Sequence, residues 1–77
     1  MAIEEKVKSI IAELLDIEVS TIEPATKLRS ELEASSIDLV ELIAAIETDF
    51  DIDIPDEDAQ KMRTVQDIVE HVKKVSS

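Results

Sequence analysis

Ser35-Ser36-Ile37-Asp38-Leu39-Val40-Glu41-Leu42-Ile43-Ala44-Ala45-Ile46-Glu47-Thr48-Asp49-Phe50 is the stretch whose reading decides the fold. Leu39, Leu42, Ile43, Ile46 and Phe50 recur at helical spacing and so share one face of an α-helix. Ser35 is placed as an N-cap, and Asp38 three residues on makes a variant of the capping box, so the spacing predicts a helix over about 36–50. Residues 31–58 around it hold eleven acidic side chains and no Lys or Arg, whereas the rest of the chain holds eight acids and eight bases. The net charge of −11 therefore belongs to this one segment.

Outward from this helix the same periodicity recurs twice. Ile3, Val7, Ile10, Ile11, Leu14 and Leu15 predict a first helix over about 3–16. Val65, Ile68, Val69, Val72 and Val75, opened by a Thr64/Asp67 capping box and closed by Lys73 and Lys74, predict a last helix over about 65–75. Pro55 at the first helical position, with Asp56, Glu57 and Asp58 in the positive first turn, predicts a short helix ending by Met62. Between the first two helices runs a long connection without a period, which Ile17, Val19, Ile22, Leu28 and Leu32 can anchor on the core. The expected fold is all-α: a small four-helix bundle of three longer helices and one short one, with a long loop between helices 1 and 2. With no Gly in the chain, no helix can end on the usual left-handed glycine.

At 77 residues the chain reads as a single domain, 1–77, whose core supplies only roughly 3 to 5 kcal/mol without staples. The absence of Cys removes disulfides and thiolate metal sites, and one His, His71, removes any His-rich site. The run Met1-Ala2-Ile3-Glu4-Glu5 has no basic, apolar leader pattern, and the unbroken apolar run 42–46 is too short to span a bilayer, so a cytoplasmic protein is expected. A strongly negative surface repels phosphate backbones and anionic lipid, which argues against nucleic acid and membrane as partners and for basic protein surfaces.

Asp49, Asp51 and Asp53 have the spacing that opens an EF-hand loop, but Ile54 stands where glycine is needed and Gln60 where the bidentate Glu is needed. No specific metal site is expected, only loose divalent binding around Asp49, Asp51, Asp53, Asp56 and Asp58. His71 lies among polar positions of its helix and reads as an exposed surface residue, which leaves Ser36 without a base and no catalytic residue to assign. Ser35 and Ser36 can both be read as helix caps. A serine at a helix mouth is also a favourable place for a phosphorylated group, because free N–H groups and the positive end of the dipole meet it.

Ile22-Glu23-Pro24-Ala25-Thr26-Lys27-Leu28, Glu31-Leu32-Glu33-Ala34-Ser35-Ser36-Ile37-Asp38, Phe50-Asp51-Ile52-Asp53-Ile54-Pro55-Asp56-Glu57 and Thr64-Val65 with Asp67 together resemble, block by block and in order, the acyl carrier protein family. The chain departs from the family's usual Asp-Ser-Leu at Ser35-Ser36-Ile37, and carries Glu33 where the family usually has Gly. Either serine could be the attachment point, and the register of Ile37, Asp38, Val40, Glu41 and Leu42 favours Ser36. The resemblance implies a carrier rather than an enzyme. A 4′-phosphopantetheine arm on Ser36 would hold acyl groups as thioesters and shuttle them between enzymes of fatty acid or related lipid or polyketide biosynthesis. Its implied partners are a phosphopantetheinyl transferase and acyl-transferring or acyl-modifying enzymes with basic docking surfaces, meeting a monomer. Turning Leu39, Ile43 and Ile46 inward leaves Ile37, Asp38, Val40, Glu41, Ala44 and Glu47, with Thr48, towards solvent as the docking strip. The competing reading is an unmodified acidic helical adaptor on the same bundle.

Overall fold

A computed structural model describes residues 2–76; Met1 and Ser77, the ends of the expected domain, lie outside them. Helix α1 spans Ile3–Leu15, α2 Ser36–Phe50, α3 Asp56–Ala59 and α4 Val65–Ser76, with one 3-10 turn at Val19–Thr21 in the connection. Helix α1 packs against both α2 and α4. Val7 and Ile11 of α1, Leu42 and Ile46 of α2 and Val65, Ile68, Val69 and Val72 of α4 form the fully buried centre, joined by Ile22 and Leu28 from the long loop.

The ends of α1 and α2 show how a chain without glycine stops a helix. Asp16 (φ 56°) and Asp51 (φ 54°) take the left-handed conformation, and the next N–H folds back onto the last turn: Ile17 donates to the Ala12 carbonyl at 3.0 Å and Ile52 to the Glu47 carbonyl at 3.1 Å. A short polar side chain tolerates this geometry better than most. No basic residue of α2 lies in its own last turn; Lys6 of α1 instead sets its Nζ 3.5 Å from the Asp49 carbonyl and 5.1 Å from the Phe50 ring centroid. A neighbouring helix thus supplies the cation that the negative end of α2 favours.

Glu33 (φ 56°) is also left-handed, and has no short side chain to excuse it. A left-handed residue with a Cβ costs about 1–2 kcal/mol, while glycine's extra freedom in the unfolded chain costs about 0.5–1 kcal/mol. Glu33→Gly is therefore expected to raise stability by about 0.5 kcal/mol, read as a higher urea midpoint at unchanged slope; a lower midpoint would show that Glu33 makes a contribution its backbone angle hides.

Several expectations are corrected in detail. Pro55 is the N-cap of α3 rather than its first residue, because its carbonyl accepts from Asp58 and Ala59 (3.0 and 2.9 Å) while its ψ of 149° is extended. The helix stops at Ala59, and tight turns carry the chain on to Met62. Leu14, Val19 and Val75 are exposed: Val75 because the buried stripe of α4 ends at Val72, while Val19 opens the 3-10 turn of the connection. His71, expected at the surface, is half-buried on the flank of that stripe, and its Nε2 is buried with no hydrogen-bond partner.

Candidate functional site

The connection ahead of α2 is an ordered strap. Leu28 N–H donates to the Arg63 carbonyl (2.9 Å), Val65 N–H to Thr26 (3.1 Å) and Gln66 N–H to Pro24 (2.8 Å), with an antiparallel bridge between Lys27 and Thr64. Within the strap, Glu31 and Leu32 N–H both reach the Lys27 carbonyl at 3.1 Å, Glu31 Oε1 accepts from Lys27 N–H at 2.8 Å, and Ala34 N–H closes onto Leu28 at 3.0 Å. Burial of Ile22, Leu28 and Ala34 fixes this path, so the chain arrives at Ser35 in a defined direction.

The two serines then differ in chemistry. Ser35 Oγ accepts from Asp38 N–H (3.1 Å) while Asp38 Oδ2 accepts from Ser35 N–H (3.0 Å), a closed capping box. Ser36, the first residue of α2, is exposed, and its hydroxyl has no hydrogen bond among the described residues. It lines an open cleft floored by Leu39, Ile43, Ile54 and Met62, between α2, α3 and the strap. Leu39 and Ile43 were expected in the core; they are half-buried, because one side of each faces the cleft.

Along α2, Ile37 and Val40 are 72% and 70% exposed, the most exposed large apolar side chains among those described, and Glu41 and Ala44 lie exposed with them; Val40 and Ala44 also line the cleft. Asp38 is half-buried in the capping box. Glu47 differs from its expected outward role: it is half-buried, and its Oε2 accepts from Ile54 N–H at 2.8 Å. This carboxylate ties α2 to the segment that enters α3, a use that helical spacing alone does not reveal.

Among the described residues, no group of three carboxylate or imidazole side chains comes together to hold a metal ion. The Asp49–Asp58 acids are dispersed, so the divalent stabilisation expected from their density has no assembled site behind it. No described helix is long and apolar enough to cross a membrane. Sequence reasoning missed Lys27, Arg29 and Arg63, which line the cleft beside Ser36. The available signal was that Arg29 and Lys61/Arg63 bracket the acidic segment, but only the Lys27–Thr64 bridge brings the two brackets together.

Residues 5–72 match the family model described as the phosphopantetheine attachment site. An acyl carrier protein of Bdellovibrio bacteriovorus is 45% identical over 74 residues, covering 96% of this chain and 95% of that one. Among solved structures, an acyl carrier protein from Enterococcus faecalis, described for its high thermal stability, superposes with a TM-score of 0.80 at 32% identity, over 94% of this chain and 91% of that one.

Proposed function

Because the chain belongs to the acyl carrier protein family, we propose that Ser36 is the residue on which it bears the family's 4′-phosphopantetheine arm. One observation carries the assignment. Of the two adjacent serines, Ser35 spends its hydroxyl oxygen on the helix cap, while the Ser36 hydroxyl is exposed and unengaged at the mouth of the cleft.

The residues present fit the arm. Ser36 offers a free oxygen to phosphorylate, the first turn of α2 offers amides and a positive dipole end, and Lys27, Arg29 and Arg63 offset the charge of a phosphodiester. When bound, the arm supplies the terminal thiol on which acyl groups are held as thioesters; the chain has no thiol of its own to compete with it. Leu39 and Ile43 give an acyl chain an apolar surface to lie on. The protein carries and presents; the chemistry on the cargo belongs to the transferase and the acyl-handling enzymes it visits. We read it as a monomeric single-domain carrier of the cytoplasm.

The test is the intact mass after incubation with coenzyme A and a broad-specificity phosphopantetheinyl transferase. A gain of one arm is expected, and a chain that never gains mass would return the unmodified-adaptor reading.

Docking on α2 is part of the proposal. Ile37, Val40 and Ala44 offer a small apolar contact, Glu41 the exposed charge beside it, and the acidic field speeds encounter with basic partners. Glu41→Lys is expected to slow transfer by a cognate partner about 3- to 10-fold at low ionic strength, and added salt to slow the wild-type reaction. Rates indifferent to both would remove α2 as the docking face.

A further inference from the structure

We infer that Lys27, Arg29 and Arg63 form a clasp that holds the phosphodiester of the Ser36-borne arm against the strap side of the cleft. The inference rests on the assignment of Ser36 above.

Three observations meet here. The first is placement: the bridge from Lys27 to Thr64 and the bond from Leu28 N–H to the Arg63 carbonyl bring the strap cations beside Arg63, and the bond from Ala34 N–H to the Leu28 carbonyl brings Ser36 to the same place two residues later. Two residues of chain span at most about 7 Å, within reach of a Lys or Arg side chain. All three cations and Ser36 line the one cleft.

The second is that the cations are unengaged. All three are exposed, and none of them is ion-paired among the described residues. Two nearby carboxylates are turned to backbone donors, Glu31 Oε1 to Lys27 N–H and Asp67 Oδ2 to Arg63 N–H (2.9 Å) and Thr64 N–H (3.1 Å), while Asp56 lines the cleft without an ion pair to any of the three. A chain with a net charge of −11 has carboxylates in excess, yet these three bases gather without pairing to one.

The third is chemical match. A phosphodiester is a single anion with two free oxygens, and two guanidinium forks with one ammonium offer several charge-assisted donors to it. Opposed partial charges at the mouth of α2 add to the same attraction. With the phosphate held on the strap side, the arm has the cleft residues Leu39 and Ile43 beside it, and Ile37 lies outside the cleft. The three bases are thus positioning residues for the arm.

The experiment uses the loaded full-length chain and reads its phosphorus NMR signal. In wild type the line should be broad, tumbling with the protein, and should narrow and shift as NaCl rises from about 0.02 to about 0.5 M, because the Debye length falls from roughly 20 Å to roughly 4 Å and screens an exposed charge contact. Lys27→Gln with Arg29→Gln and Arg63→Gln should narrow the line about two-fold at low salt and abolish its salt response. Lys27→Arg with Arg29→Lys and Arg63→Lys, which keeps the charges, should restore both. The side chains are exposed, and the wild-type salt titration stands alone if the triple variant fails to fold. Loaded wild type whose signal ignores salt, or matches that of the neutral variant, overturns the clasp and leaves Ser36 in place. A wild-type chain that gains no mass, or a Ser36→Ala chain that does, overturns both.

Discussion

Ser36→Ala is expected to abolish loading completely, while Ser35→Ala should still load but melt earlier. The contrast follows from what each hydroxyl does. Removing the Ser36 hydroxyl deletes the proposed acceptor oxygen and disturbs no hydrogen bond among the described residues, so its far-ultraviolet spectrum and melting temperature should match wild type. Ser35 Oγ accepts from Asp38 N–H, one of the orphan donors of the first turn of α2. Its loss costs about 1 kcal/mol, which lowers the melting temperature of a domain this small by about 4–8 °C. Intact mass after transferase treatment reads the first effect and a thermal melt the second. A Ser35→Ala chain that folds but does not load, or a Ser36→Ala chain that loads, reverses the assignment.

Glu47→Ala should destabilise the fold by about 1–3 kcal/mol, because it leaves the Ile54 N–H of a part-buried segment without an acceptor. That is a large share of the stability a core of this size supplies. Glu47→Gln keeps an oxygen at the same reach and should recover most of the loss, whereas Glu41→Ala, an exposed neighbour on the same helix, should change stability by less than about 0.5 kcal/mol. Urea titration of the three variants separates these cases. Equal midpoints for Glu47→Ala and Glu41→Ala would show that the 2.8 Å bond contributes nothing net. The comparison also decides how charge reversals on α2 are read: a slowed transfer in Glu47→Lys mixes lost docking with a loosened α3, and Glu41 is the clean probe.

Local signals in this chain were legible, and signals that depend on chain closure were not. The Ser35/Asp38 and Thr64/Asp67 boxes announce two helix starts and both form as written, because a cap is satisfied within three residues of itself. The stripe Val7, Ile11 and the stripe Leu42, Ile46 are buried as their spacing requires. Where the long helices end was legible to within a residue, but how they end was not: without glycine, Asp16 and Asp51 go left-handed. His71 was read from its polar neighbours in sequence, but its surroundings are set by where α4 meets the rest of the fold, and its Nε2 ends up buried. Glu47 and Lys6 each serve a different segment, Ile54 N–H and the end of α2, so helical periodicity could not assign them. Register favours Ser36 over Ser35, and the geometry adds that Ser35 Oγ accepts from Asp38 N–H while Ser36 stands exposed.

The strap bonds from Pro24, Thr26 and Leu28 to Gln66, Val65 and Arg63 join points that are distant along the chain but adjacent in space. Bringing such points together costs loop-closure entropy before any contact returns it, so pairing of this kind belongs late in folding, after the local helices have formed. The approach to Ser36 is therefore assembled last, and a half-folded chain with α2 already helical does not yet present the serine on its native path. With Ser36 as the proposed acceptor, attachment of the arm is then expected to act as a maturation checkpoint, marking chains that have completed their fold. In a refolding time course sampled with brief transferase pulses, competence for loading should trail the recovery of helical signal; loading that rises in step with helix content would remove the checkpoint.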